Sequence, residues 1–178
     1  MSIIKHKEQR VAVLMDVQNM YHSAKNLYGA RVNFNEVLKA AVGPRKLIRA
    51  IAYVIQTETP EEKTFFDALS KAGLELKMKD LQVFAGGMKK GDWDVGIAVD
   101  AIKFSSLVDA IVLVTGDGDF VPLVEYLKLN KGIQTEAIAF EKSASAKLKE
   151  AVDDFIDLSE DKNKYLIKSR RRQSPANK

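Results

Sequence analysis

Two aspartates separated by one glycine follow an apolar run in the middle of the chain. The run is Ile111–Val114, and Thr115 and Gly116 then lead into Asp117 and Asp119. A continuous apolar run ended by glycine is typical of a strand buried on both faces of a parallel sheet. An unpaired buried carboxylate costs several kcal/mol, so the two acids are expected at the strand's carboxyl end, where open α/β sheets bind ligands. Their spacing predicts a cation site.

A second apolar run, Val11–Met15, ends in Asp16, and Asn19 follows near the start of a predicted helix. Because the carboxyl ends of parallel strands meet at one edge of a sheet, the acids of both runs should gather there. Unit charges about 5 Å apart repel by roughly 3 kcal/mol at an effective dielectric near 20, so they need a divalent metal or shared protons. Alternatively, Asp117 or Asp119 only caps the helix that starts near Phe120, although capping alone explains two such strands poorly.

The donor types favour Mg²⁺ or Mn²⁺ over other metals. Carboxylates and water form the all-oxygen ligand sets that these two ions prefer. The chain has no cysteine, and its two histidines are His6 and His22, which disfavours zinc. The Gly-x-x-x-x-Gly-Lys-Ser/Thr pattern of a Walker-type nucleotide site does not occur in the sequence.

Further acids lie where a glycine-rich loop enters a predicted helix. If Asp92 is the N-cap of that helix, Asp94 falls in its first turn, near the same edge of the sheet, and becomes the candidate third ligand. Asp100 lies about 120° around the helix from Asp94, and we expect it to pair with a lysine or to touch the edge of the site. Lys89 and Lys90 on the loop either bind phosphate or form an exposed hinge.

Three aromatic side chains lie close to these acids in the sequence. Trp93 is expected either to stack on a nucleic-acid base or, in the favoured interpretation, to pack at the helix start. Tyr21 and His22 follow Asp16 and likewise have a functional and a structural interpretation. His22 is expected either to act as a general base or, in the favoured interpretation, to lie in solvent on the helix.

The predicted strands and helices, which must position the acids, alternate along the chain. Besides the two acid-terminated runs, strands are predicted at 47–55, 74–79, 81–85 and 133–140, and helices at 19–28, 33–41, 60–72, 92–104 and 121–130. A last helix ends at Val152, with Ser143 or Ser145 as its cap, and 155–158 is a short strand or a packing segment. This alternation predicts an α/β fold with a parallel sheet and helices on both faces. The helix at 92–104 carries apolar residues on two faces and is expected to be largely buried.

Length and composition bound the class of protein. The chain has 178 residues, of which 46% are hydrophobic and 29% charged, as expected for one globular domain with a substantial core. It has no apolar run as long as a membrane span and no signal-peptide pattern at its start. With no cysteine, disulfides and thiol catalysis are excluded, and a cytoplasmic location is expected.

Positive charge is concentrated at the end of the chain. Residues 162–178 contain seven lysines and arginines and no acid, which leaves 21 basic against 24 acidic residues in the remainder. We expect residues 159–178 to form a basic tail, partly disordered from about Asn163. Arg170–Arg172 either contact nucleic-acid phosphate or keep a disordered end in solution.

Three segments together resemble the NYN domain family, specifically its bacterial LabA-like branch within the PIN-like nucleases. They are Asp16–Asn19, Lys90–Ala101 and Thr115–Phe120, supported by the later segment Ser143–Leu158. The three motifs occur in the family's order, and the resemblance covers roughly residues 9–158, which we take as the domain.

The resemblance implies a three-layer, PIN-like (Rossmann-like) α/β/α sandwich with a mostly parallel central sheet. It also implies a Mg²⁺- or Mn²⁺-dependent ribonuclease site. Its acids fall on Asp16, Asp94, Asp117 and Asp119, which would be both metal ligands and catalytic residues. Asn19 and Thr115 would be supporting polar groups and, together with Lys90, are the candidate substrate-binding residues.

The favoured function is therefore hydrolysis of RNA phosphodiester bonds. Single-stranded RNA is the expected partner, no association with a membrane is expected, and a homodimer is possible. One alternative is an RNA-binding or regulatory protein that keeps the metal pocket without turnover. The other alternative is a haloacid-dehalogenase-like phosphatase, because Gly116–Asp119 also fits the acidic motif of that family. That family requires an acid two residues after the nucleophilic aspartate, whereas Gln18 holds this position after Asp16.

Overall fold

The computed structural model describes residues 3–57 and 59–168, with the backbone only for Lys89 and Lys90. The strands are β1 (Arg10–Asp16), β2 (Ala30–Val32), β3 (Lys46–Gln56), β4 (Glu75–Asp80), β5 (Gln82–Val83), β6 (Lys89–Lys90), β7 (Ala110–Val114), β8 (Gln134–Ala139), β9 (Asp154–Asp157) and β10 (Leu166–Lys168). The helices are α1 (Val17–Tyr28), α2 (Phe34–Val42), α3 (Pro60–Lys71), α4 (Asp94–Phe104), α5 (Val121–Lys131), α6 (Ala146–Ala151) and α7 (Lys162–Tyr165).

The central sheet has six strands in the order β4-β3-β1-β7-β8-β9, and every neighbouring pair in it is parallel. From β1 the chain builds outward through β3 and β4, and it then returns to build the other half from β7. The order therefore reverses between β1 and β7, where doubly wound sheets open a ligand crevice at the carboxyl ends of the strands. The predicted α/β fold with a parallel sheet is confirmed.

Alternate residues of the central strands supply two separate cores. Val11, Val13 and Met15 of β1 face one layer, and Ala12 and Leu14 face the other, each at most 1% exposed. The first layer is formed by α1, α2 and α3, which contribute Met20, Val37 and Leu69. The second is formed by α4, α5 and α6, which contribute Ile97, Leu127 and Leu148. The sandwich therefore has three layers, with the sheet in the middle.

Helix α4 differs from the sequence-based expectation in two respects. It buries only one of its apolar faces, because Val95 is 74% exposed and Val99 43% exposed. A helix that covers one side of a sheet has room in the core for a single stripe, so the expectation of a largely buried helix is wrong. The helix also begins at Asp94 with Trp93 as its N-cap, so Asp92 is not the cap.

The folded part of the chain continues past the boundary expected at residue 158. Tyr165 at the end of α7 is 8% exposed and belongs to the first core. Strand β10 then pairs antiparallel with β2, with Leu166 opposite Val32. The high lysine content of this segment concealed two core-facing residues, and the expected disorder from Asn163 is wrong as far as Lys168. Arg170–Arg172 lie outside the described residues.

A buried ion pair joins the two halves of the sheet toward its amino end. Arg45 precedes β3, Glu136 lies in β8, and both side chains are fully buried. Arg45 donates hydrogen bonds to both carboxylate oxygens, one of them over 3.0 Å, and also donates to the Ala41 carbonyl over 2.6 Å. Lys5 Nζ lies 3.2 Å from the same carboxylate. Burial alone would raise the pKa of Glu136, but the bonds from Arg45 and Gln134 outweigh it and the pKa is lowered.

In the described part of the chain, no helix combines the length and the apolar character needed to cross a membrane.

Candidate metal centre

Three of the four predicted acids meet at the carboxyl edge of the sheet. Asp94 is the first residue of α4, and Asp117 and Asp119 follow β7 in a loop that continues as a 3₁₀ turn, Gly118–Phe120. One carboxylate oxygen from each lies within 4.8 Å of one from each of the other two. Asp94 and Asp117 are partly buried and Asp119 is exposed, so the group opens to solvent at the point where the strand order reverses.

Asp16 lies beside this group, at the end of β1. Its Oδ1 accepts a hydrogen bond from the Asn19 amide over 3.1 Å and so caps α1. Burial raises the pKa of Asp16 to about 6, and the negative charges of Asp94 and Asp117 contribute to the rise. Asp16 is therefore within electrostatic range of the three clustered acids, although it is not among the oxygens that lie within 4.8 Å of one another.

Capping and clustering turn out to be compatible. Asp117 Oδ1 accepts a hydrogen bond from the Asp119 amide over 2.9 Å, so Asp117 caps the 3₁₀ turn, as Asp16 caps α1. A carboxylate has two oxygens with about four acceptor sites, and a single capping bond leaves most of them available. The capping proposed as an alternative to a cation site is therefore present in the same residues that form the acidic group.

Asn19 and Thr115 use their side-chain oxygens to shape the loop after β7. Asn19 Oδ1 accepts from the Gly116 amide over 3.0 Å, which ties the start of α1 to that loop. Thr115 is 1% exposed, and its Oγ1 accepts from the Asp117 amide over 3.2 Å. Both residues thus position acids. The side chain of Lys90, the third candidate for substrate binding, lies outside what the structure describes, and its backbone pairs with Gln82 in a short hairpin.

The two glycines of this loop allow it to pack against the segment that precedes α6. A Cβ on Gly116 would lie 3.0 Å from the Ala144 Cα, and one on Gly118 would lie 2.6 Å from Ser145 Oγ. The Ser145 amide also donates to the Gly116 carbonyl over 2.8 Å. A larger residue at Gly116 would require the loop or the segment at Ser143 and Ala144 to shift by a few tenths of an ångström.

The electrostatics of the group suit a divalent cation. Among the side chains that the structure describes, no lysine or arginine forms an ion pair with Asp16, Asp94, Asp117 or Asp119. Burial raises the pKa of Asp94, and the charges of Asp117, Asp92 and Asp119 raise it further. Oxygen donors with uncompensated negative charge are the ligands that Mg²⁺ and Mn²⁺ prefer, so the residues present fit either ion.

The neighbouring polar residues of α4 have structural partners. Asp100 is buried and accepts hydrogen bonds from Lys77 over 2.6 Å and from Tyr53 over 2.7 Å, so it pairs with a lysine as one of the two expectations proposed. Trp93 donates from Nε1 to the Val54 carbonyl over 2.9 Å and packs on Tyr53, which agrees with the packing interpretation. Asp92 is exposed, and its charge raises the pKa of both Asp16 and Asp94.

The raised pKa of Asp16 predicts a pH-dependent effect of Asp16→Asn on the metal-free protein. Because the pKa rises from 3.8 to about 6 on folding, the folded state binds the proton more tightly. Protonated Asp16 thus contributes to the free energy of unfolding fully below pH 4, and this contribution is lost as the pH rises through 6. Ionised Asp16 therefore destabilises the apoprotein at neutral pH by about 3 kcal/mol, whereas asparagine caps α1 equally well and stays neutral.

We expect urea unfolding in EDTA to show the variant close to wild type at pH 4 and more stable at pH 8. An equal difference at both pH values would contradict the assigned pKa. Added Mn²⁺ should reverse the order at pH 8, because a ligand that binds only the folded wild type stabilises it.

Comparison with known proteins shows the family to which the chain belongs. The family model of the NYN domain matches residues 10–160. The low amplitude and bright protein LabA of Synechococcus elongatus is 27% identical over 162 residues, which span 86% of each chain. A crystal structure of a protein of unknown function from Vibrio parahaemolyticus superimposes with a TM-score of 0.83 at 30% identity, covering 93% of this chain and all of the other. The chain belongs to the NYN domain family.

Proposed function

We propose that the protein is a Mg²⁺- or Mn²⁺-dependent ribonuclease that hydrolyses phosphodiester bonds within single-stranded RNA. The observation that carries this proposal is the approach of Asp94, Asp117 and Asp119 to within 4.8 Å at the point where the strand order reverses. Membership of the NYN domain family, which belongs with the PIN-like nucleases, supports the same class of reaction.

In this proposal Asp94, Asp117 and Asp119 would hold the cation, and Asp16, at the end of the adjacent strand β1, would be the fourth ligand. When bound, such an ion lowers the pKa of a coordinated water and offsets the charge that develops on the phosphate. Asn19 and Thr115 keep the loop in place through their bonds to the Gly116 and Asp117 amides. The exposed side of the group, at Asp119, leaves room for the RNA backbone.

The direct test is incubation of the purified protein with an end-labelled single-stranded RNA in Mn²⁺. We expect internal fragments in Mn²⁺ or Mg²⁺ and intact RNA in EDTA. Release of phosphate from small phosphomonoesters with the RNA left intact would favour a phosphatase instead. Binding of RNA without cleavage under any metal would favour the RNA-binding or regulatory alternative.

A second prediction concerns the basic end of the chain. Residues 169–178 carry four of the basic residues and no acid, so removing them lowers the net charge from +4 to zero. We expect this truncation to weaken RNA binding and to reduce the slope of log affinity against log salt by up to about 3, since fewer counterions are released. Truncation at 168 keeps Tyr165 in the core, so the fold should be unaffected.

The matched control is the full-length protein with Arg170, Arg171 and Arg172 changed to glutamine, which should reproduce most of the loss. Anisotropy titrations at several KCl concentrations measure both slopes. Slopes equal to that of wild type would show that the end of the chain does not contact RNA.

A further inference from the structure

A lysine on the edge strand is held beside the acidic group by two contacts. Lys79, the penultimate residue of β4, donates from Nζ to the Asp92 carbonyl over 3.0 Å. The same nitrogen lies 4.4 Å from the centre of the Trp93 ring, within the range of a cation–π interaction. The residue is exposed to solvent. The ammonium group is therefore positioned without being buried.

Trp93 forms a rigid support for this lysine. Its ring is fixed by the Nε1 bond to the Val54 carbonyl and by the Tyr53 ring, whose centre is 5.3 Å away. It also lies over Gly96, where a Cβ would come within 2.5 Å of the indole. Trp93 directly precedes Asp94, so the support for the lysine and the first acid of α4 share one piece of backbone.

The partners of Lys79 leave its charge available. Lys77, on the same strand, is paired with the buried Asp100, and its charge is largely compensated. Within the described residues, Lys79 instead contacts a neutral carbonyl and an aromatic ring, and an ammonium group has three donors. Its positive charge also acts on Asp94, where it opposes the rise in pKa caused by burial and the neighbouring acids. A cation within range of the metal ligands, with free donors, suits a phosphate.

We propose that Lys79 is a substrate-positioning residue that binds an RNA backbone phosphate next to the one being hydrolysed. This inference rests on the proposed ribonuclease function. Strand β4 lies three strands from β7, which Asp117 and Asp119 follow, and this is about 14 Å between the strand axes. We therefore assign Lys79 to a neighbouring phosphate and not to the one at the acids. Because the side chain is already held by Trp93 and Asp92, little conformational entropy is lost when the phosphate binds.

The test compares Lys79→Met with Lys71→Met. Lys71 is an exposed lysine at the end of α3, and α3 runs from the carboxyl end of β3 to the amino end of β4, so Lys71 lies at the opposite edge of the sheet. Both variants lose one charge. With Lys79→Met we expect KM for RNA to rise about fivefold with kcat within twofold of wild type, and the salt slope of binding in EDTA to fall by about 0.7, the share of one phosphate on a single strand. Lys71→Met should leave KM, kcat and the salt slope unchanged.

Lys79→Arg provides rescue, because arginine keeps the charge and stacks on the indole, so its salt slope should match that of wild type. A Lys79→Met protein with an unchanged salt slope would overturn the proposal, and a lower melting temperature alongside it would show that the lysine only supports Trp93. Wild-type protein that binds RNA but never cleaves it would refute the ribonuclease, and the EDTA titrations would still decide the role of Lys79. Wild-type protein that binds no RNA would refute both.

Discussion

The Asp16→Asn/Asp117→Asn double variant should lose at least about a thousandfold in RNA cleavage, equivalent to about 4 kcal/mol of activation free energy. Each substitution removes one negative charge from a group whose proposed role is to hold a divalent cation. In calorimetric titrations, Asp117→Asn alone should bind Mn²⁺ more weakly than wild type. The cleavage assay with end-labelled RNA measures the larger effect.

The fold of this variant should survive, because asparagine is as good an N-cap as aspartate, and Asp16 and Asp117 both act as caps. Relief of repulsion among the acids should even raise the melting temperature of the apoprotein. The control is Asp157→Asn. Asp157 ends β9 at the same edge of the sheet and caps another turn, with Oδ1 accepting from the Ser159 amide over 2.8 Å, but it is outside the acidic group.

Activity should therefore persist in Asp157→Asn and disappear in the double variant. If wild type and the double variant degrade RNA equally, the activity comes from a contaminant and the ribonuclease proposal fails.

Glu136→Gln is expected to have the largest effect on stability, a loss of about 3–5 kcal/mol. It leaves the Arg45 guanidinium fully buried without its countercharge, and an uncompensated buried charge is far more costly than a lost surface pair. For a chain of this length the loss corresponds to a fall in melting temperature of about 10 °C. Urea unfolding gives the free energy directly.

Two further variants test the cause. Glu75→Gln breaks the ion pair with Arg49, in which both side chains are over one-third exposed, and should cost less than about 1 kcal/mol. Replacing both members of the buried pair with apolar residues, as Arg45→Met/Glu136→Leu, should recover much of the stability lost in Glu136→Gln. A loss under 1 kcal/mol in Glu136→Gln would show that the buried pair does not hold the two halves of the sheet together.

The strands that carry the acids could be predicted because their signal is local. A strand buried on both faces appears in the sequence as an apolar run, and the first residue that cannot be buried marks its end. The runs of β1 and β7 therefore each predicted an acid at the carboxyl edge of the sheet. The alternation of elements was then sufficient for the parallel sheet. Asp94 was expected in the first turn of the helix after the glycine-rich loop, and it is the first residue of α4.

Pairings between distant residues could not be predicted in this way. Arg45 and Glu136 are separated by 91 positions, and nothing near either residue in the sequence indicates the other as its partner. Lys79 was only the last residue of a predicted strand, and its contact with Trp93 depends on how the hairpin after β4 folds. The burial of Tyr165 could not be predicted because the surrounding segment is rich in lysine. In each case the deciding contact comes from the tertiary fold, and composition near the residue carries no trace of it.

The capping bonds of Asp16 and Asp117 bear on how this family can diverge. The codons for aspartate and asparagine differ by one nucleotide, and asparagine supplies the same cap. A single base change can therefore remove a proposed metal ligand while the helix or turn that it begins remains intact. A variant that keeps the shape of the crevice but lacks one of the proposed ligands is thus one mutation away from this sequence.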